Sequence, residues 1–152
     1  MKKFDFDKAS SHRTAEESPG FLLWRASTLW RRAIESILKP LDLTHPQFVI
    51  LASIAWLTKD EKFASQVEIG RQAGLDPNTT SQILRSLQGK GLIVKSRSKD
   101  ERSKFPILTE SGVKSLAKAL PAVEKADAEF FSSVNLNKVS AIKALQVLAG
   151  FE

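Results

Sequence analysis

The sequence predicts a mainly α-helical fold that carries one small β-hairpin. Three observations predict it. Amphipathic stretches of helical period occupy both ends of the chain, and two short capped segments meet at a glycine turn near its middle. Two β-like runs then enclose a basic octapeptide.

Residues 1–18 are polar and mixed in charge, and read as a mobile N-terminal arm punctuated by Pro19 and Gly20. FLLWRASTLWRRAIESILK follows, with apolar Leu22, Ala26, Leu29, Ala33 and Ile37 at helical spacing. Trp30, Ile34 and Leu38 widen the stripe, and Pro40 ends the helix. In LTHPQFVILASIAWL, Thr44 is a natural N-cap and Pro46 fits the first turn. This second helix is apolar almost all round and should therefore be central. TKDEKF is a polar connection in which Phe63 is a candidate for a very short strand.

SQVEIGRQAG opens with the capping box Ser65-x-x-Glu68 and closes on Gly74. DPNTTSQILRSLQGKG then begins with Asp76 as N-cap and Pro77 at the first helical position, and ends at Gly89 or Gly91. Two short helices separated by a tight glycine turn outline a helix-turn-helix. LIVKSRS and KFPILT read as a hairpin around the octapeptide RSKDERSK, and Pro106 places its strand at an edge. Thr109 caps a long helix with Leu116, Leu120, Val123, Phe130 and Val134 on its stripe and Pro121 as a kink site. A last helix from about Asn137 carries Val139, Ile142, Leu145 and Ala149.

On a wheel of about 100° per residue, the second short helix divides cleanly. Thr80, Ile83, Leu84 and Leu87 fall on one side, and Asn78, Thr79, Gln82, Arg85 and Ser86 on the other. Amide, hydroxyl and guanidinium groups suit base edges in a major groove. Any surface helix also has a polar face, so the helix alone does not decide. The turn before it and the basic hairpin after it favour nucleic acid.

Charge points the same way. Between Arg85 and Lys104 stand seven bases and two acids, a surplus of five in a chain of formal charge +6. The basicity is a local feature of the kind that meets a polyanion. Without cysteine, disulfides, thiolate metal sites and thiol redox sensing are excluded. His12 and His45 have no helical i,i+4 partner, so no metal site is expected. There is no phosphate loop, nucleophile motif or carboxylate–histidine cluster, and neither an enzyme nor a cofactor is expected. The longest apolar stretch, FVILASIAWL, is about half a membrane span, and the start has no signal-peptide pattern, so a cytoplasmic protein without membrane contact is expected.

DPNTTSQILRSLQGKGLIVKSRSKDERSKFPILTESG resembles the winged helix-turn-helix of the MarR family of bacterial transcriptional regulators. The likeness rests on the capped recognition helix, the KGLI after it, Asp100-x-Arg102 in the wing, and Leu108, Thr109 and Gly112 at the next helix. With LTHPQFVILASIA and QVEIGRQAGL it covers roughly residues 20–150. The resemblance implies an obligate homodimer built by the terminal helices (19–43 and 110–152), around a winged helix-turn-helix over 44–109. It also implies a recognition helix in the major groove of double-stranded DNA and a wing arginine in the minor groove, with Asp100 orienting the basic groups. The expected DNA-contacting residues are Asn78, Thr79, Gln82, Arg85 and Ser86 on the helix, and Lys95, Arg97, Lys99, Arg102 and Lys104 on the wing. Gln82 and Ser86 depart from the pattern, because many relatives carry bases there.

Trp24, Trp30 and Trp56, with Arg25 and His45, are candidates for a pocket that takes a small aromatic or anionic effector. The alternative is that the tryptophans fill the core and the dimer interface. Two function classes remain at this point. One is a dimeric DNA-binding regulator, a repressor released by a small ligand from a pseudo-palindromic operator. The other is a winged-helix module that turns the same surface to a protein or RNA.

Overall fold

A computed structural model describes residues 3–60, 62–97, 104–132 and 138–151. The stretch expected as an arm holds two short helical turns: α1 (Phe6–Ala9), capped by Asp5, and a 3-10 turn at Ala15–Glu17. The long helix α2 (Pro19–Leu38) begins two residues before the expected start. Ser18 accepts a hydrogen bond from the Phe21 N–H, and Pro19 serves as the first helical residue, where its missing N–H costs nothing. A 3-10 turn at Lys39–Leu41 follows, and Asp42 closes it in the left-handed region at φ 53°.

Helix α3 (His45–Thr58) is central, as its all-round apolarity requires. Ile50, Leu51 and Ile54 are fully buried, and it packs on α4 (Gln66–Ala73), α5 (Pro77–Gly89) and the hairpin. The hairpin pairs β1 (Ile93–Arg97) with β2 (Lys104–Leu108) antiparallel, from Ile93 opposite Leu108 to Arg97 opposite Lys104. Phe63 is not in a strand. Its ring instead rests on Phe105 of β2, with centroids 5.4 Å apart. Pro106 lies opposite Lys95 with its side chain fully buried.

Helix α6 (Glu110–Ser132) packs along α2, burying Gly112, Leu116, Ala119, Val123 and Ala126 on one face. Pro121 stays within the unbroken helix, and Leu120 of the expected stripe is partly exposed. Val134 and Asn137 lie outside the described residues. The last helix, α7 (Lys138–Leu148), leaves Ile142, Leu145, Val147 and Leu148 open to solvent. Among the described residues, no helix is long and apolar enough to cross a membrane.

Candidate nucleic-acid interface

Two caps and one left-handed glycine set the angle at which α5 leaves α4. Ser65 Oγ accepts from the Glu68 N–H at 3.2 Å, and the Glu68 carboxylate accepts from the Ser65 N–H at 2.7 Å. The Ser65 hydroxyl, which donates to the Glu68 carboxylate at 2.7 Å, and then the Ser65 N–H hold that carboxyl below its usual range. Gly74 turns the chain at φ +67°, a value that glycine takes without a Cβ penalty. Asp76 then accepts the Thr79 hydroxyl at 2.5 Å and the Thr79 N–H at 2.9 Å, which lowers its own pKa.

The two helices meet at Gly70, which is buried. A Cβ there would sit 2.8 Å from Thr80 Oγ1, so only glycine permits this closeness with Thr80 in place. Thr80 is fully buried and donates its hydroxyl to the Asp76 carbonyl at 2.8 Å.

The wheel drawn from the sequence matches the burial of α5. Thr80, Leu84 and Leu87 are buried and Ile83 is half-buried, while Asn78, Gln82, Arg85 and Ser86 are exposed and Thr79 is intermediate. Not all of these polar groups are free. The Thr79 hydroxyl is committed to the cap, and Arg85 Nε donates to the Ser81 carbonyl at 3.4 Å.

Ser86 is held from behind by a residue the sequence reading passed over. Gln47 of α3 donates from Nε2 to Ser86 Oγ at 2.8 Å, while its Oε1 accepts from the Thr44 N–H at 3.1 Å and from Lys90 Nζ at 3.2 Å. Lys90 also donates to the Asp42 carbonyl and pairs with the Asp42 carboxylate at 3.2 Å. The end of α5 is thereby tied to the corner between α2 and α3. The Thr44-x-x-Gln47 capping box was the one legible sign of Gln47. Asp42 gave no sign at all.

The hairpin is anchored just as firmly. Thr109 donates its hydroxyl to the Gly91 carbonyl at 2.7 Å and accepts the Gly112 N–H at 3.0 Å, and its own N–H reaches the Leu92 carbonyl. A Cβ on Gly112 would overlap that same carbonyl oxygen of Leu92. This explains the spacing of Leu108, Thr109 and Gly112 in physical terms: a cap and a close backbone crossing at the root of the wing. Lys95 and Lys104 are exposed on the strands, and Arg97 is the last residue of β1. Lys99, Asp100 and Arg102 lie outside the described residues.

The profile of the family described as "Transcriptional regulator SarA/Rot" matches residues 32–119, which contain α3 to β2 entire. The HTH-type transcriptional regulator YdcH of Bacillus subtilis (strain 168) is 35% identical over 136 residues, covering 89% of this chain and 92% of that one. CouR of Rhodococcus jostii RHA1, solved with p-coumaroyl-CoA, shares the fold at a TM-score of 0.78 and 23% identity, over 91% of this chain and 96% of its own. Rv2887, a MarR family protein of Mycobacterium tuberculosis, was solved with DNA and with salicylic acid. Its DNA complex is 26% identical with a TM-score of 0.62, over 88% of this chain and 98% of that one.

The chain belongs to the MarR-type winged-helix transcriptional regulators.

Regulators of this type are not enzymes. The residues expected to form an effector pocket in this MarR-type chain are only partly gathered. Trp30 and His45 meet edge to face at 5.0 Å, and Trp30 Nε1 donates to Asp127 of α6 at 2.7 Å, a partner the sequence reading missed. Burial lowers the His45 pKa, with Glu35 and Asp127 opposing and Arg31 assisting. Trp24 is 69% exposed on α2, and Arg25 lies over the Phe21 ring. Trp56 is 59% exposed under the Lys59 ammonium. Its position on α3 is eleven residues, or about 16 Å of helix, beyond His45. A cleft of about 330 Å³ opens beside His45 among Glu35, Lys39, Asp42, Thr44 and Lys90. A second, apolar groove lies between Ala55 and Thr58 of α3, Ile107 of β2, and Val113 and Leu120 of α6.

Proposed function

We propose that this regulator is a homodimeric repressor that reads a pseudo-palindromic operator and is released by a small aromatic or anionic ligand. One observation carries the reading. Helix α5 stands proud with Asn78, Gln82, Arg85 and Ser86 exposed, braced by the Gly70 crossing and followed directly by the basic hairpin. In this arrangement the exposed face of α5 meets base edges in the major groove. The wing, with Lys95, Arg97, Lys99, Arg102 and Lys104, serves phosphates and the minor groove while Asp100 orients its basic groups. The hairpin register sets Arg97 opposite Lys104, so one rung carries two residues of like charge, an arrangement that a polyanion favours. Rv2887, solved on DNA, and mycobacterial relatives named as repressors at 29% identity favour DNA over a protein or RNA partner.

Dimerisation is supported by apolar side chains that the single chain leaves uncovered, including Leu22, Leu23 and Leu29 on α2 and Leu145, Val147 and Leu148 on α7. A two-fold dimer that reads a pseudo-palindrome needs its two α5 helices about 34 Å apart, one turn of DNA. For the effector, the cleft offers the His45 ring, backed edge to face by Trp30, and the lysines Lys39 and Lys90 beside the acids Glu35 and Asp42. CouR and Rv2887, solved with an aromatic thioester and with salicylic acid, support that ligand class.

The test is a salt titration of DNA affinity on the region upstream of the gene and on a scrambled duplex. Gln82→Ala should lose about 1–3 kcal/mol on the preferred site and little on scrambled DNA. Arg102→Ala should weaken both by a similar factor and flatten the salt slope. Equal loss on both duplexes from Gln82→Ala, with none from Arg102→Ala, would reverse the assignment of helix and wing.

A further inference from the structure

The hydrogen bonds behind Ser86 have a direction. Gln47 can turn its amide either way, but two donors converge on one of its ends: the Thr44 N–H at 3.1 Å and the Lys90 ammonium at 3.2 Å. Neither can accept a hydrogen bond, so the oxygen must face them and the NH2 must face Ser86. Burial of Gln47 and the tie from Lys90 to Asp42 keep this set in place. Ser86 Oγ thus receives a hydrogen bond from the protein at 2.8 Å, and no acceptor among the described residues is recorded for its O–H. On an exposed position of α5, the hydroxyl keeps its proton to give and one of its two lone pairs.

We infer that Lys90 and Gln47 form a positioning relay that biases Ser86 toward donating its hydrogen bond to DNA, so that Ser86 prefers an acceptor. An unassisted serine is ambivalent and serves donors and acceptors alike. With one of its two lone pairs taken from behind and its O–H polarised by that bond, Ser86 favours a phosphate oxygen or an acceptor on a base edge, such as guanine O6 or N7, over the amino groups of cytosine or adenine. Lys90 and Gln47 touch no nucleic acid in this scheme and act only through Ser86. The inference rests on the proposed role of α5 in DNA binding and adds a polarity to one of its contacts.

Gln47→Glu inverts the relay at nearly constant shape. One carboxylate oxygen still takes the Thr44 and Lys90 donors, while the other now accepts the Ser86 O–H and turns its proton inward. The added negative charge also weakens DNA binding in general, so the measurement is a double-mutant cycle with Ser86→Ala. The probes are a duplex selected from a random library and its scrambled control. Gln47→Glu should cost about three- to tenfold more affinity with Ser86 present than in the Ser86→Ala background, the range expected of one neutral hydrogen bond. Excess loss on the selected duplex alone identifies a base acceptor, and equal excess on both duplexes identifies a phosphate. Ser86→Thr, which keeps the hydroxyl, should retain the coupling. The same loss with Ser86 present and in the Ser86→Ala background overturns the relay.

A second measurement is independent of DNA. In the free protein, the Gln47 side-chain NH2 resonances should move on Ser86→Ala and on Lys90→Met. Resonances that stay in place refute the relay even if the wild type binds DNA. A wild type that binds no duplex, with the amide shifts as expected, removes the DNA role while leaving the hydrogen bonds established.

Discussion

Replacing Gly70 by alanine sets two effects of opposite sign against each other. Alanine favours the interior of α4 by about 1 kcal/mol over glycine. The new methyl, however, would sit 2.8 Å from Thr80 Oγ1, short of the 3.4 Å at which ordinary contact begins. Relief needs about 0.6 Å of movement, and Thr80 has little room to give it. Its side chain is fully buried, and rotating it away sacrifices the bond to the Asp76 carbonyl. Overpacking of this kind costs about 1–3 kcal/mol and the lost hydrogen bond about 1 kcal/mol more. The net expectation is a destabilisation of about 1–3 kcal/mol by urea unfolding at unchanged m-value. DNA affinity should fall as well, because the alternative relief is to push α5 off α4. Adding Thr80→Ala removes the clashing atoms, so the double variant should be more stable than the sum of the two single changes by about 1 kcal/mol or more. A Gly70→Ala protein as stable as wild type, or more stable, would show that the crossing is not tight and the reasoning fails.

At Gly112 the obstacle is the Leu92 carbonyl, which is backbone and cannot rotate away, so Gly112→Ala should cost about 3 kcal/mol or more, read as a lower thermal midpoint. Burial depresses the His45 pKa, so between that value and the unfolded value of about 6.5 the unfolded chain binds more protons. Stability contributed by neutral His45 should therefore be complete above about pH 6.5 and decline as the pH falls through it, and His45→Gln should remove that part of the slope in urea titrations across pH 5–8. Trp30→Phe deletes the donor to Asp127 and should lower stability by about 1 kcal/mol, with Asp127→Asn in the same cycle revealing the coupling. If the proposed dimer forms through α7, Leu148→Glu places a charge at a residue that is 72% exposed in the single chain, and sedimentation should show monomers with little change in the fold.

Local rules made much of this protein legible in one dimension. The Ser65 and Asp76 caps, the turn at Gly74 and the division of α5 into two faces all depend on residues within a turn or two of one another. The central place of α3 followed from apolar residues on every side. The start of α2 was missed by two residues because proline reads as a breaker until Ser18 is seen capping it. Phe63 was a candidate for a very short strand because aromatics favour strands, and its ring instead found Phe105, 42 residues further along the chain.

What sequence by itself determined, then, is the order of the main elements, the turn and the exposed chemistry of α5, since each is written in contacts at i+3 or i+4. Tertiary structure alone decided how that helix is held and which way its hydroxyls point. Gln47 meets Ser86 across 39 positions, Lys90 meets Asp42 across 48, and Trp30 meets Asp127 across 97. No periodicity encodes such pairs. They exist because packing the apolar faces of α2, α3, α5 and α6 brings distant polar groups together, and those it takes out of water, such as Gln47, must find a partner or bear the cost of burial.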